Sequence, residues 1–89
     1  MTDLKALFRK ALPARIAALE AGRGPLETGA AEAWTEVRRL AHSLRGSGGT
    51  YGFPEVTEAA RLLEDASEAD RPRQLDHLLD VLRQVAAGG

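Results

Sequence analysis

Arg38-Arg39-Leu40-Ala41-His42-Ser43-Leu44-Arg45-Gly46-Ser47-Gly48-Gly49-Thr50-Tyr51-Gly52 is the stretch whose reading decides the fold. Laid on a helix at about 100° per residue, Trp34, Val37, Leu40, Ala41 and Leu44 fall within one half of the cylinder, and Gly48 and Tyr51 continue that stripe. This half is the expected buried face. His42 points almost directly away from it, on an arc shared with Thr35, Arg38, Arg39, Arg45, Gly46 and Gly49. The pattern therefore places an imidazole on the solvent side of a rigid helix, with guanidinium groups nearby and glycines one and two turns later. Such a surface suits docking.

The glycines need a reason. Each one in a helix interior costs about 0.8–1 kcal/mol relative to alanine, so Gly46, Gly48 and Gly49 together cost about 2–3 kcal/mol against a domain stability of about 5–15 kcal/mol. Gly46, one turn beyond His42, leaves no Cβ beside the imidazole, so a group bonded to the ring or an approaching partner can come close. Gly48 and Gly49 either let another helix pack tightly or loosen the helix before a turn at Gly52. A loop that begins at these glycines is the alternative.

Length and composition bound the rest. Eighty-nine residues make one domain with a single small core. Aromatic content of 4%, with Ala, Leu, Arg and Glu abundant and no alternating apolar–polar segment, predicts an all-α chain. A net charge of -1 argues against a nucleic-acid surface, which needs a net basic patch. There is no cysteine, hence neither a disulfide nor a thiolate metal site. The charged N-terminus lacks an apolar signal core, and no apolar run approaches the ~20 residues that span a bilayer, so a cytoplasmic location and no membrane contact are expected. The Gly-Ser-Gly-Gly-Thr-Tyr-Gly run is not a nucleotide loop, because it lacks Gly-Lys-[Ser/Thr] and follows a helix.

With these residues in view, Ala41-His42-Ser43-Leu44-Arg45-Gly46-Ser47-Gly48-Gly49-Thr50-Tyr51-Gly52-Phe53 resembles the signature of histidine phosphotransfer (HPt) domains of bacterial phosphorelays. The run Val56, Ala59, Ala60, Leu63 and Glu64 is similar to that family's following helix, and the resemblance covers most of the chain. It implies an antiparallel up-down four-helix bundle in which His42 is the phosphoacceptor, Arg45 the cation beside the phosphoryl group and Gly46 the clearance residue. Arg45 stands where the family more often has lysine, which keeps the charge but replaces a compact ammonium with a planar fork.

Along the chain, Thr2 or Asp3 can cap a short first helix with Leu4, Leu7, Phe8, Ala11 and Leu12 inward. Pro13 then opens a second helix carrying Ile16, Leu19 and Ala17, a single kinked helix being the alternative. Gly22-Arg23-Gly24-Pro25 ends this segment, and residues 26–29 connect to the helix of His42. Pro54 restarts helix after Gly52, with Glu55 and Glu58 near its positive end and Val56, Ala59, Ala60, Leu63 and Ala66 toward the core. Residues 67–72 break the pattern. Leu75, Leu78, Leu79, Leu82, Val85 and Ala86 define a last helix, and Gly88-Gly89 frays. The expected fold is thus a four-helix bundle with a short extra N-terminal helix over one end.

His77, the other histidine, also projects outward, but Val81 stands one turn on and Asp76 and Asp80 flank it, so it reads as a solvated surface residue. Trp34 and Tyr51 read as packing residues. The resemblance implies a phosphoryl carrier with no cofactor of its own, whose partners are a receiver domain, holding the Mg²⁺, and a histidine kinase. Gly46 and Gly49 would admit the receiver's loops, while Arg38, Arg39 and Arg45 would suit its acidic pocket. A free-standing monomer is expected. Two other classes stay open: an adaptor bundle that binds a receiver or kinase without carrying phosphate, and a metal or enzyme bundle, disfavoured because the core positions are apolar.

Overall fold

The computed structural model describes residues 3–88, and among these the chain forms four α-helices and one short 3₁₀ turn. The helices are α1 (Leu4–Glu27), α2 (Ala31–Thr50), α3 (Pro54–Glu64) and α4 (Arg71–Ala86), with the turn at Glu68–Asp70. They pack in a closed ring, α1 against α2 and α4, and α3 against α2 and α4, giving the expected all-α bundle. The core is apolar: Phe8, Leu12 and Leu19 of α1, Val37, Leu40, Ala41 and Leu44 of α2, the α3 stripe from Val56 to Leu63, and five residues of α4 are buried. Ala66 is half-buried beyond the end of α3, and Ala86 is exposed.

Among the described residues there is no separate short N-terminal helix. α1 runs unbroken for 24 residues through Pro13 and Pro25, so neither the Pro13 junction nor the Gly22–Pro25 stop forms. A proline inside a helix costs about 3 kcal/mol, but Leu12, Leu19 and Leu26 stay buried only if the helix continues, and that burial outweighs the loss. Gly22 has a packing reason: a Cβ there would lie 2.7 Å from Val37 Cγ2 of α2. Past it, Arg23 forks onto Asp76 of α4 at 2.7 and 3.0 Å and onto Glu27 at 2.9 Å, tying the last turns of α1 to the bundle. This hydrogen bond from Arg23 holds the Asp76 carboxyl below its ordinary value, so the tie contributes above the unfolded carboxylate pKa and is lost as pH falls through the folded one.

Continuity also turns some expected core residues outward. Leu4 and Leu7 are 53% and 47% exposed, and Ala11 and Ala17 are exposed as well, because one continuous helix presents only the Phe8–Leu12–Leu19 side to its neighbours. Phe8 stacks on Tyr51 and Phe53 at 5.7 and 5.1 Å, so the first turns of α1 do cover the α2–α3 end of the bundle. Asp3 caps α1 by accepting from Lys5 and Ala6 backbone N–H groups; Thr2, the other expected cap, and Gly89 lie outside the described residues.

Both sharp turns are glycine C-caps. At Gly29 and Gly52, with φ of 83° and 88°, the chain enters the left-handed region, and Ala30 N–H bonds Pro25 O while Phe53 N–H bonds Gly48 O, as in a Schellman motif. α2 therefore extends through Gly46, Gly48 and Gly49 as helix to Thr50, and the loop alternative is excluded.

Candidate functional site

The site is built beside a close approach of α2 and α3. Gly48 is buried, and a Cβ there would sit 2.8 Å from Thr57 Oγ1, 3.0 Å from Thr57 N and 3.1 Å from Phe53 O. The Thr57 hydroxyl uses this proximity to donate to Arg45 O at 2.8 Å. Two turns further along α3, on the same face as Thr57, Glu64 reaches α2 beside His42. One missing side chain thus sets the register that brings the carboxylate to the imidazole.

His42 stands where the periodicity places it, its side chain 77% exposed. Its Nδ1 lies 3.1 Å from Glu64 Oε2, and the Glu64 side chain is 8% exposed, the reverse of its partner's. An ionised carboxylate can only accept, so this contact pairs with a proton on Nδ1 and leaves Nε2 as the ring nitrogen not engaged by Glu64. Arg45 NH1 is 3.7 Å from Glu64 Oε1, an oxygen that is buried and makes no hydrogen bond among the described residues. A buried carboxylate is costly unless paired, and here imidazole and guanidinium share that task. Arg45 is otherwise on the surface.

Gly46 is exposed, and a Cβ built on it meets nothing within 4 Å. Helix packing gives no reason for glycine here, unlike Gly48. Replacing Gly46 by glutamine should therefore raise stability by about 0.5–1 kcal/mol, read as a Tm increase of a few degrees, while slowing any reaction that brings a partner onto His42 at least tenfold. A variant as reactive as the wild type would remove the clearance role. Gly49 is exposed too, its Cβ position 3.6 Å from Thr57 Oγ1.

The remaining expected residues divide. Arg38 and Arg39 line a groove of about 490 Å³ with His42, Glu64, Trp34 and Thr35. Arg39 is clamped by Glu36 through two hydrogen bonds, whereas Arg38 makes neither a side-chain hydrogen bond nor an ion pair among the described residues. Trp34 packs one side on the core, but Arg71 of α4 stacks on its ring at 3.9 Å, so it is more than a packing residue; Tyr51 packs as expected. His77 is exposed on α4, and the carboxylates around it are engaged elsewhere, Asp76 by Arg23 and Asp80 by Arg83.

Glu64 is the residue that the sequence reading left without a role. It stands 40° beyond Ala60 at the edge of the α3 apolar stripe, an arc that a carboxylate occupies only with a partner. That edge position was the available signal, but the partner lies 22 residues away on another helix. Among the described residues no helix is long and apolar enough to cross a membrane.

Compared with known families, the chain matches the model described as Hpt domain over residues 3–88. No curated protein and no solved structure matches it significantly.

Proposed function

The chain belongs to the Hpt domain family, and from that premise we propose that it is a phosphoryl carrier which accepts the group on His42 and passes it to a receiver-domain aspartate. The observation that carries this reading is the pairing of an exposed imidazole with a buried carboxylate: Glu64 fixes the proton on Nδ1 and leaves Nε2 as the nucleophile.

The step balances without a base. Nε2 attacks phosphorus in line, an N–P bond forms as the O–P bond to the donor aspartate breaks, and that electron pair leaves on the carboxylate oxygen. The ring becomes cationic with its Nδ1 proton in place, and the nearby Glu64 carboxylate stabilises it. Arg45 turns from Glu64 to the phosphoryl oxygens, while Gly46, Gly49, Arg38 and Arg39 border the docked partner. In this reading the receiver supplies Mg²⁺, a histidine kinase or second receiver is the donor, and the protein works as a cytoplasmic monomer.

The test is incubation with a panel of phosphorylated receivers and active histidine kinases. The expected result is a gain of one acid-labile phosphoryl group by intact mass; no gain from any donor, in a protein shown to be folded, would overturn the carrier reading in favour of an adaptor. Within it, Glu64→Ala should lower kcat for transfer roughly 10–100-fold at saturating receiver, as expected when an imidazole loses its orienting carboxylate. Glu64→Gln, whose amide oxygen can still accept from Nδ1, should recover part of that loss. Equal kcat in all three proteins would show that the contact does not position the ring.

A further inference from the structure

α3 is short. Glu64 ends it beside His42, whereas α2 reaches back to Ala31, so the outer side of the first half of α2 has no helix over it. Two hollows meet there, one running to His42 past Arg38 and the other bounded by Glu68 and Arg71, and Trp34 and Thr35 line both. The indole is the wall they share.

The charges around it are unusual for this chain. Every other arginine has a hydrogen-bond or ion-pair partner: Arg9 bonds Val85 O, Arg15 bonds Ser43, and Arg23, Arg39, Arg45, Arg61, Arg73 and Arg83 face carboxylates. Arg38 and Arg71 alone have neither among the described residues, and these two flank Trp34. Arg71 carries two further costs. Its Nε is buried without a partner, and it sits in the first turn of α4, where the helix dipole disfavours a cation. Stacking at 3.9 Å over Trp34 offsets part of this. Glu68 lines the same hollow yet forms no ion pair with it.

We propose that Trp34, flanked by Arg38 and Arg71, is a second anchor for the receiver, seating an apolar side chain on the indole and a neighbouring carboxylate between the two guanidinium groups. The inference rests on the carrier reading, because the groove is continuous with His42: a domain engaged on the imidazole sits at its rim. Two unpaired cations beside an aromatic surface fit an acidic, partly apolar docking face. His42 and Arg45 serve the chemistry; Trp34 and Arg71 select the partner.

The experiment takes the receiver that exchanges fastest with the wild type and measures KM and kcat for transfer with Arg71→Met, Arg38→Glu and Trp34→Ala. Methionine keeps an apolar stem over the indole, and Arg38 is exposed, so the first two variants are safe for folding even if Trp34→Ala is not. KM should rise about tenfold in each folded variant with kcat within twofold, since docking energy is lost and the reacting atoms are untouched. Trp34 is the only tryptophan, so 5-fluorotryptophan labelling gives one ¹⁹F signal, which should shift as receiver is added. If the wild type transfers normally and KM stays within twofold in Arg71→Met and Arg38→Glu, or the signal stays fixed at saturation, the anchor is disproved and the carrier reading stands. If the wild type takes no phosphoryl group from any receiver, both fall. A signal that moves with the protein's own concentration, without receiver, assigns the groove to a second copy and equally overturns the proposal.

Discussion

Replacing His42 by glutamine should leave a folded bundle that gains no phosphoryl group from any donor active on the wild type. The side chain is 77% exposed, so the substitution should change stability by no more than about 0.5 kcal/mol. Glutamine suits a helix interior, and its amide N–H can take over the hydrogen bond to Glu64, so the buried carboxylate keeps a donor. What disappears is the nucleophile: an amide nitrogen has no available lone pair, and transfer should drop to background. Circular dichroism reads the fold and intact mass reads the phosphoryl group. A variant phosphorylated to the wild-type extent would move the acceptor elsewhere, with His77 the first place to look.

The largest expected effect on stability lies one helical turn and a half further on. Gly48→Val should destabilise the bundle by about 3 kcal/mol, which for a domain of this size lowers Tm by roughly 12–24 °C. A Cβ at this position meets two backbone atoms, Thr57 N at 3.0 Å and Phe53 O at 3.1 Å, besides the Thr57 hydroxyl at 2.8 Å. Backbone cannot rotate out of the way, so α2 and α3 must separate, and the Thr57 to Arg45 hydrogen bond goes with them. Even alanine, which gains about 1 kcal/mol in helix propensity, should come out destabilising here. Thermal denaturation of Gly48→Ala, Gly48→Val and Gly46→Ala decides the matter, because only the last should match or exceed the wild type; a wild-type Tm for Gly48→Val would refute the close-packing argument. Since the same register carries Glu64 to His42, a folded Gly48→Ala protein should also transfer more slowly.

The two glycines show how far a sequence can be read. That Gly46 and Gly48 lie on opposite sides of one helix follows from their spacing, and so does the choice between clearance and packing once a buried face is known. The burial of Val37, Leu40, Ala41 and Leu44, the outward His42 and the stop at Gly52 are legible for the same reason. Each depends on 3.6-residue periodicity or on a local backbone requirement, and so on residues within a few turns of one another.

The sequence alone therefore determined an all-α chain, the order and approximate extent of its last three helices (α3 stops at Glu64, short of Ala66, and α4 starts at Arg71, inside the expected break), its phosphoacceptor candidate and, through the motif around His42, its family. Tertiary structure decided the rest. It carried α1 through two prolines, because burying Leu12, Leu19 and Leu26 together outweighs the local preference to break. It brought Glu64 to Nδ1 across 22 residues of chain, stacked Arg71 on Trp34, and left Leu4 and Leu7 outside. These are relations between helices, set by packing energy summed over the whole bundle, and no local pattern in any one helix contains them.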